Sequence, residues 1–113
     1  MTTIYTIHYY DDSVQAAIFT LPKTLQARYV ALSRRMVTSG PNLGMPHTKA
    51  FGEGLFELRL KGAEGIARVF YCTQIGRNIV MLHSFVKKTD KTPPAERKIA
   101  EDRLKEVKHA DPR

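Results

Sequence analysis

The chain has 113 residues, with 18 lysines and arginines against 11 aspartates and glutamates and a formal charge of +7. That length closes one hydrophobic core and is too short for two domains with a linker, so residues 1–113 read as a single unit. The lone cysteine, Cys72, excludes an intrachain disulfide and the small disulfide-stapled class. No basic-then-apolar leader is readable, and no apolar run approaches the roughly 18 residues of a membrane span, so a soluble cytoplasmic chain is expected.

Ile4 to Tyr10 is rich in β-branched and aromatic residues and is stopped by Asp11-Asp12-Ser13, which predicts a strand and then a short helix through Phe19 with Ser13 as its cap. Thr20 with Leu21-Pro22 opens a longer helix, because proline is tolerated in a first turn. Within it Leu21, Leu25, Leu32 and Met36, with Tyr29 between them, recur at helical spacing and form one core-facing stripe. Gly40-Pro41 ends it. Asn42 to Gly54 shows no periodicity and reads as a long surface loop.

Alternation from Leu55 to Leu60 predicts a strand with Phe56, Leu58 and Leu60 toward the core and Glu57 and Arg59 on a wet side. Gly62 and Gly65 turn the chain into a second strand, Ile66 to Thr73. Ile75-Gly76-Arg77-Asn78 holds a tight turn. Ile79 to Val86 is apolar on both faces and is expected to be central. Thr92-Pro93-Pro94 starts a last helix, with Thr92 as cap, Pro93 in the first helical position and a stripe of Ile99, Ala100, Leu104 and Val107; the chain is expected to fray after Lys108.

A charge of +7 gathers polyanions, so nucleic acid or an acidic protein segment is the natural partner. His8, His47, His83 and His109 show no ligand spacing, and no metal site is expected; nor is there a nucleophile elbow or a Walker-type phosphate loop. Arg59, Arg68, Lys87 and Lys88 are more informative, because strand positions and strand ends are rigid mounts from which cations converge on one phosphate. In RNA cleavage by transesterification the substrate's own 2′-OH attacks. The protein then has to take that proton, stabilise the pentavalent phosphate and protonate the leaving 5′-oxygen. Arginine and lysine suit the second task, and crowding of like charges eases proton loss from a lysine.

His47 and Lys49, in the loop before the second strand, are candidate acids, bases or RNA clamps, and Lys61, His83 and Lys91 join them as RNA-binding or proton-transfer candidates. The plainer reading of His83, in alternation with Met81 and Phe85, is a core or cleft-edge histidine. Glu57 reads as a general base or as the partner that holds Arg59, the second being preferred. Tyr71 and Phe85 can stack on bases, although aromatics on strands are usually core. The account that competes with a phosphate site is solvated strand-edge charge.

Leu55-Phe56-Glu57-Leu58-Arg59, Ala67-Arg68-Val69-Phe70-Tyr71, Leu82-His83-Ser84-Phe85-Val86-Lys87-Lys88-Thr89 and Lys91-Thr92-Pro93-Pro94 together resemble the RelE/ParE toxin superfamily of bacterial type II toxin–antitoxin systems, in its phage-derived Gp49-like, HigB-type branch. The resemblance covers most of the chain. It implies an α+β fold in which a small, mainly antiparallel four-stranded sheet packs against helices in the order β-α-α-β-β-β-α. It also implies a ribosome-dependent mRNA endonuclease without cofactors, acting on mRNA in the ribosomal A site. The partner it implies is an antitoxin encoded by a neighbouring gene and carrying a helix-turn-helix DNA-binding domain. Catalytic roles carry over first to Arg68 and Lys88, then to Lys87 and Arg59. Some relatives use a tyrosine shortly after the basic step, where this chain has Asp90 to Pro94 and no tyrosine downstream. That leaves the proton shuttle open among His47, Lys49 and His83. A ParE-like inhibitor of DNA gyrase and a non-toxic RNA-binding module are the alternatives on the same fold, and a shared fold does not decide among them.

Overall fold

In the computed structural model, which describes residues 4–74, 76–88 and 91–110, the elements follow as β1 (Thr6–Tyr9), α1 (Asp12–Ile18), α2 (Lys23–Ser39), β2 (Thr48–Gly52), β3 (Leu55–Gly62), β4 (Gly65–Gln74), β5 (Asn78–Lys87) and α3 (Pro94–Ala110). The strands form one sheet in the order β1-β5-β4-β3-β2. Strands β2 to β5 pair antiparallel and β1 pairs parallel with β5. The α+β class agrees with the sequence, but the sheet is five-stranded and mixed rather than four-stranded.

The extra strand is β2, within the segment expected to be a loop. Its residues Thr-Lys-Ala-Phe-Gly carry too little alternation to announce a strand. Pairing with β3 orders them, Thr48 facing Leu58 and Ala50 facing Phe56. The connection to β3 uses Glu53 and Gly54, both at positive φ, the geometry of a tight hairpin turn. Strand β5 is interior as expected, though β4 holds the middle place.

The helix starts differ from expectation. Asp11, not Ser13, caps α1: its carboxylate accepts from the Val14 N–H at 2.9 Å, and the Ser13 hydroxyl donates to the same oxygen. A carboxylate in extended backbone one residue before the helix reaches the N3 amide better than a serine already inside the turn. Helix α3 begins at Pro94, with the Pro93 carbonyl accepting from Glu96 and Arg97. Pro93 is thus the flanking residue, and Thr92 does not cap. The helix continues through Ala110, beyond the expected fraying point.

Helix α2 starts at Lys23, so Pro22 is its flanking residue and not part of the first turn as expected, and it makes no side-chain cap hydrogen bond. Glu64, from the β3–β4 turn, supplies the missing acceptor: the Thr24 N–H donates to Glu64 Oε1 at 2.8 Å, and the Glu64 N–H donates back to Thr24 Oγ1. The chains come so close here that a Cβ on Gly62 would stand 2.7 Å from Thr24 Oγ1. This bracket fixes the first turn of α2 against the end of the sheet.

The sheet is covered unequally. Helices α1 and α2 bury Ile18, Leu25, Tyr29, Leu32 and Met36 against Leu58, Leu60, Ala67, Val69, Tyr71, Ile79 and Met81. On the other face α3 covers only the half that carries Leu55, Phe70, Cys72, Val80 and Leu82. A bulge puts Phe70 opposite His83 but Tyr71 opposite Met81. It therefore breaks the alternation read in the sequence, sending Met81 to the α2 core and His83 to the α3 face. The expected wet side of β3 is likewise split, since Leu55 and Glu57 are buried and Arg59 is half-buried.

Cys72 lies in the α3-side core, and burial pushes its thiol up to about 11, the Lys108 charge opposing. Only the thiolate reacts. The native protein at pH 8 is expected to resist a colorimetric thiol reagent that labels it promptly in denaturant; equally fast labelling in both would contradict this burial. Among the described residues no helix is long and apolar enough to cross a membrane.

Candidate functional site

The β3–β4 hairpin sets Arg59 directly opposite Arg68. Like charges in that position repel and need a counter-charge. Glu57 provides it from two residues back on β3, hence on the same face. Its Oε1 lies 3.4 Å from Arg59 Nε and 3.6 Å from Arg68 Nε, and its Oε2 accepts from the Thr92 hydroxyl at 3.0 Å. The Glu57 side chain is 2% exposed, that of Arg68 11% and that of Arg59 27%. One carboxylate thus faces two guanidinium groups, leaving a positive charge in a largely covered place.

Arg68 is the least satisfied member of this trio. Its Nε is close enough to Glu57 for an ion pair but not for a hydrogen bond, and it is a buried polar atom without a hydrogen-bond partner among the described residues. Burial lowers the Arg68 pKa below its ordinary value, the Glu57 charge opposing and the Arg59 charge adding to the fall. A guanidinium stays charged nonetheless, so the site holds a cation with unused donor capacity.

Two clefts open from Arg59. One, of about 270 Å³, is lined by Arg28, Pro46, His47, Arg59, Lys61, Ile66 and Arg68. The other, of about 260 Å³, is lined by Lys49, Phe51, Glu57, Arg59, Lys87, Lys91, Thr92 and Arg97. Lys87 enters from β5, at the register of Ile66 and two residues beyond Phe85, which faces Arg68. On the Phe51 ring sit the Arg97 guanidinium, 4.5 Å from the centroid, and the Lys49 ammonium at 5.4 Å. Ring contacts then run from Phe51 through Phe70 and Phe85 to His83.

Of the residues singled out in the sequence, Arg59, Arg68, His47 and Lys61 share one cleft, and Arg59, Lys49, Lys87 and Lys91 share the other. Lys88 is exposed just past β5 and lines neither. His83 also lines neither; its Nε2 is 2.6 Å from Glu96 Oε1. Tyr71 is fully buried on the α2 face and its hydroxyl donates to the Pro41 carbonyl, so it stacks on no base. Thr89 and Asp90 lie outside the described residues. Arg28, Thr92 and Arg97 emerge only in three dimensions. Helical periodicity gives the face of Arg28 and Arg97 but not the sheet edge each meets. The pairing of Glu57 with Arg59 was legible as a same-face spacing of two. Among the described residues no group of three or more histidines, cysteines and carboxylates comes together to hold a metal ion.

Residues 16–105 match the family model described as phage derived protein Gp49-like (DUF891). The chain belongs to this family. No curated protein matches it. In this Gp49-like chain the matched span runs from within α1 to within α3 and so takes in both clefts, while β1 lies outside it.

Proposed function

We propose that this Gp49-like protein is a RelE/HigB-type toxin of a type II toxin–antitoxin system, cleaving mRNA in the ribosomal A site by metal-independent attack of the substrate 2′-OH. The observation that carries this reading is the Arg59–Arg68 pair, two opposed guanidinium groups sharing one buried carboxylate, with Arg68 Nε left without a hydrogen-bond partner among the described residues. A phosphodiester entering beside them gains charge-assisted hydrogen bonds, and the extra negative charge of the pentavalent state gains more. Lys87 adds a third cation from β5, and Lys88 meets the RNA outside the clefts.

The 2′-oxygen forms its bond to phosphorus as the bond to the 5′-oxygen breaks, giving a 2′,3′-cyclic phosphate and a 5′-hydroxyl. His47 is the first choice for moving the proton, since it lines the cleft of Arg59 and Arg68, whereas His83 is engaged by Glu96. Lys49 serves the neighbouring cleft. The proposed partner is an antitoxin from the neighbouring gene whose toxin-binding segment is acidic, favouring fast, salt-sensitive association.

Brief induction of the isolated chain followed by end-group analysis of mRNA fragments tests the reading. Fragments with 5′-hydroxyl and cyclic or 3′-phosphate ends are expected, and 5′-phosphate ends would reject the mechanism. Intact mRNA with impaired gyrase would transfer the protein to the ParE-like class, and harmless high-level expression would leave an RNA-binding module.

A further inference from the structure

Helix α2 contains Lys23, Arg28, Arg34 and Arg35 and no aspartate or glutamate. All four cations are exposed, and the exposed residues between them, Ala27 and Ala31, are too small to screen them. Helix α3 is built differently: Arg97 pairs with Glu101 and Lys98 with Asp102, each one turn on. Among the described residues no arginine of α2 takes part in an ion pair. The positive charge of α2 is therefore uncompensated where that of α3 is not.

This face is continuous with the site. Arg28 lines the cleft of Arg59 and Arg68, and the Thr24–Glu64 bracket one turn earlier holds it there. Arg35 follows Arg28 by two helical turns, so it stands on the same stripe roughly 10 Å farther along the axis. Arg34 lies beside it. An acidic protein segment would draw specificity from apolar pockets, and the exposed residues here offer only Ala, Ser and Thr among the cations. A nucleic-acid backbone needs only point charges along its path.

We infer that the exposed face of α2 is a second RNA-binding surface, on which Arg35 and Arg34 hold phosphates of the same strand as it leaves the cleft past Arg28. The inference rests on the proposed reading for the nature of the ligand in the cleft. It assigns to α2 an extended contact with the substrate strand, outside the reacting phosphate.

The test is binding of a fully 2′-O-methylated decaribonucleotide, which lacks the attacking hydroxyl, to the full chain across a range of salt concentrations. For single strands each phosphate contact adds about 0.7 to the slope of log K against log salt, so Arg34→Gln/Arg35→Gln is expected to make that slope shallower by about 1.4. Lys105→Gln/Lys108→Gln on α3 removes the same charge elsewhere and is expected to leave the slope unchanged. An unchanged slope in the α2 variant, or an equal fall in both variants, would overturn the inference. So would an α2 variant that binds this RNA normally yet fails to bind the acidic product of the neighbouring gene. Because no cleavage is involved, a chain that shows the α2 effect but leaves mRNA intact keeps this inference and loses the nuclease reading. One that cleaves with an unchanged slope does the reverse.

Discussion

Arg68→Ala is expected to slow single-turnover cleavage on programmed ribosomes by about two to three orders of magnitude, the usual cost of losing one preorganised group that stabilises transition-state charge. The expectation rests on the position of Arg68: nearly buried, opposite Arg59, with an Nε that no hydrogen bond satisfies among the described residues. Arg68→Lys keeps the charge but not the planar fork, so it is expected to recover part of the rate. Circular dichroism of both variants separates a chemical effect from unfolding. A near-wild-type rate for folded Arg68→Ala would remove this residue from the reaction.

Glu57→Ala is expected to lower the free energy of unfolding by about 3–5 kcal/mol, because removing one partner of a buried ion pair leaves the others uncompensated. Here the loss is compounded: two opposed guanidinium groups lose their shared counter-charge, and the Thr92 hydroxyl loses its acceptor. Denaturant titration checks it, the midpoint falling at constant slope. Glu57→Leu/Arg68→Met exchanges the buried pair for apolar volume and is expected to regain most of the stability while remaining inactive. If Glu57→Ala unfolds like the wild type, the carboxylate is not what holds the two arginines together.

Part of this arrangement was readable in the sequence because glycines punctuate hairpins. Gly62 and Gly65 mark the β3–β4 turn, while the place of Arg59 opposite Arg68 emerges only from the observed register. The stripe of α2 was legible too, since Leu25, Tyr29, Leu32 and Met36 keep one period over about three turns. Strand β2 was not legible, because five residues flanked by turn formers owe their order to the edge of β3 and not to their own pattern. The bulge at Phe70 and Tyr71 leaves no mark in composition, yet it decides that His83 meets Glu96 on α3. Thr92 looked like a cap because threonine before two prolines usually is one. Its hydroxyl is instead drawn to Glu57, a partner 35 positions away along the chain.

The parallel edge of the sheet has a consequence for the order in which the molecule can be assembled. Strands β3, β4 and β5 close on one another through short turns, so their contacts cost little chain entropy. Strand β1 must instead pair Thr6 with Asn78 and Tyr9 with Met81 across most of the chain. Strand β1 is therefore synthesised well before the strand it pairs with, and its place exists only once β5 is present. Lys87 arrives with that same strand, so no shorter nascent chain holds both a complete sheet and the full cationic cleft.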